Sequence, residues 1–559
     1  MTRAAVTRFS PAAPWGPMPA GHWLLLVAVS GLLYGFNLGG ASTLTPHETL
    51  VGGIAKQMVL DGRWAFTWIG DHAWVERPPL PQWLAALAIV LLGEATEATV
   101  RLPSALAGGG VVLVIAGLAA RWFGPGVGLL SGLVQATAWY SVRHARLAGA
   151  EIELCLLVVA AIAAFVHLQA PEAAAGPALT RRRLLFWALI GATNLFKGQL
   201  FGAAMALVPC LGWLAWRRDR EGLRRLISPA GIALAALIAL AWPAAMAALG
   251  HGEVLLEWWR RGMLGRIDGS YFQEAQPLWY YPWSLSWQLL PWTPLLLAGA
   301  GPSLRRAWHD PDSPDRLLWC WALLPMALLS LPAHKHPHDL IYALPALSPV
   351  VALGLARIGG WARALRPRGR TGAGGAVLVI AAGVAVGAQA GAALFPDFRT
   401  DSLLLGGLAA LGFAAAGAFL MGGRVGAAAT ALMAGVVVVS LVLKSPWLPR
   451  RDPSAADRAF LIGVAAQVPP EATLFVSGQR RITGHLFYIT RAVEAAWRPS
   501  DIAGRPGTEA PFYVVVRARD EPELAALGRV TRVDQSAHAR FERSAGERFT
   551  LYRVEPPPR

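Results

Sequence analysis

Few stretches of this chain carry side chains that could do chemistry, and they lie between long apolar runs. Pro46-His47-Glu48-Thr49 follows the first such run, and Glu76-Arg77-Pro78-Pro79 closes the same polar stretch. Glu151 opens a later apolar segment in Arg146-Leu147-Ala148-Gly149-Ala150-Glu151, with Glu153 two residues on. Lys197 stands at a Lys-Gly turn, Arg260, Arg261 and Arg266 share one loop, and Lys335 sits inside Ala333-His334-Lys335-His336-Pro337-His338. A carboxylate or imidazole at a membrane edge is costly unless it is paired or functional. His47, with an unperturbed pKa near 6.5, or Glu48 can each accept a proton from an acceptor group. Glu151 and Glu153 point in different directions on a helix, and Glu151 is nearer the outer surface. A carboxylate in a first helical turn is also stabilised by the macrodipole, so the bland reading of Glu151 stands beside the catalytic one. The alternating His334, His336 and His338 suggest metal ligation only weakly, because no ligand geometry is fixed.

The elements that position these residues are membrane helices. The 559 residues are 55% hydrophobic with 24 Trp and a mean hydropathy of +0.43, which marks a polytopic α-helical membrane protein. The formal charge of +16 comes from arginines in short strings between apolar runs, the pattern of cytoplasmic loops rather than of nucleic-acid binding. Cys155, Cys210 and Cys320 all fall inside apolar runs, with no spacing for a disulfide framework or a metal site.

The segment 21–40 reads as an uncleaved first span with its amino terminus inside. Further spans are expected at 101–120, 126–142, 151–169, 184–196, 199–216, 230–249, 281–300, 316–331, 338–356, 375–394, 403–421 and 426–443. One more apolar run, 79–94, decides the parity. If it lies in the interface, Arg121, Arg181 to Arg183, Arg217-Arg218, Arg305-Arg306, the string Arg357 to Arg370 and Arg424 all fall inside. If it spans, all of them flip out. The first choice gives about thirteen transmembrane helices and sends 41–100, 143–150, Lys197-Gly198, 250–280, 332–338 and 396–402 to one outer face.

After Lys444 the hydrophobicity ends. Residues 1–444 therefore read as a transmembrane domain with 41–100 as its first outer loop, and 445–559 as a small soluble extracytoplasmic α/β domain. Strands are expected at Thr473–Ser477, Leu486–Ile489, Phe512–Val516 and Phe549–Val554, with helices at Pro453–Val468 and Glu521–Leu527.

Taken together, the acidic residue after the first helix, the amphipathic run ending in Asp61-Gly62-Arg63-Trp64, Glu76-Arg77-Pro78-Pro79-Leu80, Leu195-Phe196-Lys197-Gly198, the His334 to Asp339 string and Trp279-Tyr280-Tyr281 resemble GT-C membrane glycosyltransferases. Within that family the resemblance is nearest to the aminoarabinose (lipid A) transferase and protein mannosyltransferase group. It covers about residues 20–360 through motifs that are each weak alone.

The resemblance implies the GT-C fold and inverting transfer of a sugar from a polyprenyl-phosphate donor to a lipid or protein acceptor on the outer face of a bacterial inner membrane. It implies catalytic roles for Glu48, His47 and Glu151. Charge neutralisation of the donor phosphate would fall to Lys197, Arg260, Arg261, Arg266, Lys335 and Arg77. In relatives a Glu at the place of Glu76 helps bind a divalent metal, the one cofactor the resemblance suggests. Three departures are visible: His47 stands where the family has Asp, Asp339 where it has an aromatic, and Arg260-Arg261-Gly262-Met263 where a histidine partner for the metal is expected. Losing the family's Asp is easier to reconcile with an acceptor phosphate, already ionised, or with a reassigned base. Two readings from other classes stay open at this point, a transporter or flippase of a lipid-linked sugar and a non-catalytic polyprenyl-lipid binder; membrane lipids are partners in every case.

Overall fold

A computed structural model of the chain describes residues 18–40, 42–70, 72–74, 77–170, 176–198, 200–260, 275–444, 452, 454–478, 482–537 and 548–557. Its helices follow the apolar runs. Helix α1 (Ala20–Gly35) leads to α2 (Pro46–Asp61), which starts on a capping box: the Thr45 side chain accepts from the Glu48 backbone and the Glu48 carboxylate accepts from the Thr45 N–H. Gly62, at φ 68°, stops α2 in the left-handed region that glycine adopts without cost. A short antiparallel hairpin, β1 (Trp68–Ile69) and β2 (His72–Ala73), precedes α3 (Leu80–Leu92). At 13 residues, α3 is about 20 Å long against a hydrocarbon core of about 30 Å. It is too short to cross. Ala85, Ala86 and Ile89 are buried while Leu87, Val90 and Leu91 are exposed, a one-sided helix suited to an interface.

Helices α4 (Glu97–Phe123), α5 (Pro125–Thr137), α6 (Trp139–His144), α7 (Glu151–Gln169), α8 (Pro177–Lys197) and α9 (Phe201–Arg217) form the inner bundle. Its core centres on α7, whose Leu154, Cys155, Val158, Ile162 and Phe165 are fully enclosed. Among the described residues, seven helices are long and apolar enough to cross a membrane: α4, α7, Pro229–Ala248, Leu344–Ala364, Pro367–Leu394, Pro396–Met421 and Val425–Lys444. The chain is a multi-pass membrane protein. The other expected spans coincide with helices that are shorter, more charged or interrupted. The segment 281–300 divides into Tyr280–Gln288 and Thr293–His309, because Pro291 lacks an N–H to continue the ladder. The segment 338–356 begins as 3-10 turns at Pro337–Tyr342 and Leu344–Ala346, and becomes an α-helix only at Leu347.

The carboxyl-terminal region is a five-stranded mixed sheet, β3 (Leu474–Ser477), β4 (Glu494–Ala496), β5 (Phe512–Arg517), β6 (Arg529–Gln535) and β7 (Phe549–Glu555), in the order β4-β3-β5-β7-β6. β3 runs parallel to β4 and β5, while β7 pairs antiparallel with β5 and β6. The expected strand at Leu486–Ile489 is instead part of a helix, Ile482–Tyr488. A four-residue apolar run does not distinguish the two by periodicity. Here the helix buries Ile482, Phe487 and Tyr488 against α2 and α3.

That contact joins the two regions into one core, with Leu44, Ile54, Met58, Ala85 and Ile89 packed against Phe460, Leu461, Phe487 and Tyr488. The Lys56 ammonium donates to the carbonyls of Phe487 and Ile489 at 2.8 and 3.0 Å. The Leu44 N–H donates to the Tyr488 hydroxyl at 2.8 Å, and Arg458 pairs with Glu97 at 2.5 Å. Gly53 lets α2 approach closely: a Cβ there would stand 2.4 Å from the Thr483 carbonyl oxygen.

Candidate functional site

The end of the bundle that carries the sheet domain holds two charged assemblies on either side of the turn 145–150. The first is built on Glu48, which the capping box fixes in the first turn of α2 and whose residue surface is 1% exposed. Its carboxylate accepts from Arg101 Nε at 2.7 Å, Arg101 Nη2 at 3.3 Å, the Ala148 N–H at 3.0 Å and the Thr45 N–H at 2.9 Å. Arg101, equally buried, spends its other donors on the carbonyls of Leu38, Ser42 and Thr43. Four donors on one carboxylate fill its acceptor positions. Glu48 therefore ties α2, α4 and the turn before α7 together. His47, one residue earlier, is exposed and has no hydrogen-bond or ion-pair partner among the described residues.

The second assembly sits at the start of α7. Glu151 opens the helix and turns toward Lys197, which α8 presents in its last turn just before Gly198, at φ 67°. The Glu151 carboxylate lies 3.4 Å from Arg77 and 3.8 Å from Lys197, and Lys197 lies 3.0 Å from Asp339. Loops far apart in sequence thus bring two cations and two carboxylates together. The side chains of Lys197, Asp339 and Glu151 are 7%, 11% and 13% exposed and that of Arg77 is 30% exposed, so the cluster is enclosed on the protein side and open at Arg77. Lys197 is further held over the rings of Phe201 and Tyr342, at 4.9 and 5.4 Å. Glu153 points away, accepting from Ser104 on α4 at 2.7 Å.

Aromatic and imidazole rings wall this cluster. His338 lies 3.8 Å from Asp339 and stacks on His336, with ring centroids 5.1 Å apart. His144 sits edge-on to Tyr140 at 4.5 Å, and Tyr140 packs on Trp287. Burial pushes the His144 imidazole down to about 4, against the pull of Glu151, and leaves its Nε2 without a hydrogen-bond partner. Burial, and then Lys197, push His338 down to about 3, while Asp339 and Glu151 pull the other way. Both rings are neutral near neutral pH.

Other residues singled out by sequence stand elsewhere. The Lys335 ammonium donates to the carbonyls of Gln276 and Pro332 at 2.8 and 2.7 Å and is buried. It braces the 332–335 turn against 275–277. Arg260 is exposed at the end of the helix Gly252–Trp259. Glu76, Arg261 and Arg266 lie outside the described residues. No group of three His, Cys, Asp or Glu side chains with metal-ligating proximity occurs among the described residues, and both site carboxylates already face cations. Sequence reasoning missed Arg101, Arg146, His144 and Tyr140. Arg101 and Arg146 fall beside or within apolar runs, where an arginine must be paired or functional, and that was the available signal.

A family profile described as dolichyl-phosphate-mannose-protein mannosyltransferase matches residues 76–245. The undecaprenyl phosphate-alpha-4-amino-4-deoxy-L-arabinose arabinosyl transferase of Pseudomonas aeruginosa (strain LESB58) is 30% identical over 340 residues, 59% of this chain and 58% of that protein. Its counterpart in Pectobacterium carotovorum subsp. carotovorum (strain PC1) is 29% identical over 354 residues, 62% of this chain and 60% of that protein. The chain thus spans about three-fifths of the length of these curated relatives. The crystal structure of ArnT from Cupriavidus metallidurans bound to undecaprenyl phosphate superposes with a TM-score of 0.78 at 19% identity, covering 97% of this chain and 100% of that one. The Archaeoglobus fulgidus oligosaccharyltransferase follows with a TM-score of 0.51 at 12% identity, over 90% of this chain and 69% of that one. The chain has the GT-C fold, and the resemblance read from its motifs holds.

Proposed function

We propose that this protein is an integral-membrane glycosyltransferase that moves a sugar from a polyprenyl-phosphate donor to a lipid (lipid A-like) or protein acceptor on the outer face of a bacterial inner membrane. The observation that carries the reading is the cluster of Arg77, Glu151, Lys197 and Asp339 at the head of α7 in a GT-C fold. The names of the curated relatives supply the donor type, an undecaprenyl phosphate carrying an amino sugar. The alternation of basic loops supports the outer placement of the site.

In the proposed reaction the acceptor oxygen attacks the anomeric carbon. The bond from that carbon to the phosphate oxygen breaks, and the lipid phosphate leaves with the electron pair. Departure needs fixed positive charge where the phosphate's charge grows. Lys197 and Arg77 are the described cations placed for this. Glu151 sits between them and orients both, while Asp339 and the Phe201 and Tyr342 rings hold Lys197 from below. An enclosed, pre-oriented ammonium stabilises developing charge without reorganising. We assign Arg260, Arg261 and Arg266 to the same donor approach as outer-loop cations, and Lys335 to bracing the 332–335 turn.

Proton removal is needed only for a hydroxyl acceptor. His47 is the exposed candidate base, whereas Glu48, with its acceptor positions filled, acts by holding the turn that leads to Glu151. A divalent metal would rely on Glu76. The test is purified protein in lipid nanodiscs with a radiolabelled polyprenyl-phosphate sugar. Donor-dependent label transfer, lost in Lys197→Met, is expected. Movement of the intact donor across the bilayer with no transfer to any acceptor would replace this reading with transport.

A further inference from the structure

On the far side of the 145–150 turn from Lys197, a second set of cations has gathered, and the described residues give it no matching set of ion-pair partners. Arg143 and Trp139 are four residues apart on α6 and share a face. The Lys444 ammonium, at the end of the last apolar helix, stands over the Trp139 ring at 5.8 Å. Asn37 ties the group together. Its side-chain amide donates to the Lys444 carbonyl at 2.8 Å, and its own carbonyl accepts from Arg146 at 3.1 Å. Arg146 gives its Nη1 donors to the carbonyls of Leu33 and Tyr34 and is buried. Arg143, Arg146 and Arg101 all lie within electrostatic reach of Lys444.

Among the described residues, the carboxylate that these four cations meet directly is Glu48, which Arg101 and backbone donors fill, while Asp452 is taken up by the Thr43 N–H. Neither Arg143 nor Lys444 has an ion-pair partner among the described residues. Arg146 has carbonyl partners but no ion-pair partner among the described residues. Gathering like charges at a partly enclosed site is unfavourable unless an anion completes it. Arg143 and Trp139 are exposed, and the half-buried Lys444 ammonium lies over the Trp139 indole beside them. The position is contiguous with the transfer cluster: Arg143 acts electrostatically on both Tyr140 and His144, which in turn feel Glu151.

We propose that Arg143, Lys444 and Trp139 form a second anion-binding subsite, for a phosphate group carried on a lipid, with buried Arg146 as its fixed countercharge. Guanidinium and ammonium together suit a phosphate: the fork gives two directed donors and the ammonium a point charge. Two sources supply that chemistry, a phosphate monoester on the lipid that receives the sugar and the phosphodiester headgroup of bulk anionic phospholipid. The first source rests on the transfer reading above; the subsite does not.

The test is binding, measured by native mass spectrometry on full-length protein in neutral detergent. It is done in a Lys197→Met background, so that the donor grip is weakened and turnover is irrelevant. The probes are short-chain phosphatidic acid, a monoester, and phosphatidylglycerol, a diester. One tightly held molecule is expected, with affinity falling roughly tenfold or more in Arg143→Gln and in Lys444→Gln, the loss typical of one charge-assisted contact. Lys444→Arg should retain it. Arg143 is exposed, so its replacement is expected to leave the thermal midpoint unchanged and to report binding alone. A tenfold preference for phosphatidic acid assigns the subsite to the sugar-receiving lipid, and equal binding assigns it to bulk headgroups. Affinities within threefold of the parent in both Gln variants overturn the subsite, whatever becomes of the transfer activity.

Discussion

Replacing Lys197 with Met keeps the length and apolar packing of the side chain over Phe201 and Tyr342 and removes only the ammonium. In the structure that ammonium is 3.0 Å from Asp339 and 3.8 Å from Glu151. Its loss leaves Glu151 with Arg77 at 3.4 Å and takes from Asp339 its ion pair at 3.0 Å. Two effects follow. Breaking an enclosed ion pair costs about 3–5 kcal/mol when fully buried, and the partial exposure of both carboxylates places this case at the lower end. Loss of one preorganised donor at the departing phosphate costs about 2.7–4 kcal/mol in the transition state, or roughly 10²–10³ in kcat. The double variant Lys197→Met with Asp339→Asn separates them. Neutralising Asp339 should restore most of the thermal midpoint while leaving turnover as low as in the single variant. The assay is label transfer from a polyprenyl-phosphate sugar, with the melting curve followed alongside. Turnover of Lys197→Met within threefold of the parent, at matched folded fraction, refutes the placement of the donor phosphate at Lys197.

Three further outcomes are expected. Glu48→Gln puts an amide NH₂ or a weakened acceptor against four donors, so it should lower stability by about 3–5 kcal/mol. The melting curve checks this, and a well-folded protein lacking only transfer would return Glu48 to the role of base. Gly53→Ala places a methyl 2.4 Å from the Thr483 carbonyl and should loosen the sheet domain from α2, seen as faster proteolysis between residues 445 and 455. His485, buried with both ring nitrogens lacking a hydrogen-bond partner, is pushed by burial, and then by Arg517, down to about 3. The unfolded chain takes up a proton below about 6.5 while the folded one does not, so stability should fall by about 1.4 kcal/mol per pH unit from there toward pH 3. His485→Phe should flatten that dependence, as chemical denaturation across pH 4–7 would show.

The sequence carried the membrane class and the bundle because both rest on long apolar runs, whose signal survives without knowledge of neighbours. It carried Glu151 and Lys197 because each stands where an apolar helix begins or ends. What it could not carry were pairings across the bundle. Nothing in Thr96 to Pro103 says that Arg101 meets Glu48, so the carboxylate looked unengaged and catalytic. Lys335 looked like a phosphate ligand for the same reason; its two carbonyl partners come from loops joined only in three dimensions. The short elements of the sheet domain misled in another way. Leu486–Ile489 is as apolar as a strand, and only its packing against α2 makes it helical. The strands β4 and β6 were missed because one is three residues long and the other is largely exposed.

The two faces of α2 give the first outer loop its part in the proposed chemistry. One face carries Glu48, whose bond to the Ala148 N–H fixes the turn that delivers Glu151 two residues after Gly149. The other carries Thr49, Gly53 and Lys56, the contacts that seat the sheet domain. A rigid helix cannot shift on one face without shifting on the other. A displaced sheet domain therefore moves Glu151 relative to Lys197, through α2 and the 145–150 turn. Placement within about an ångström matters for transfer rates by as much as a hundredfold. Lys56→Met, which removes the bonds to Phe487 and Ile489 but no charge from the site, is expected to lower kcat while leaving donor affinity close to the parent value. Kinetics showing weaker donor binding with an unchanged rate constant would break this link and leave the sheet domain as a donor-capturing lid instead.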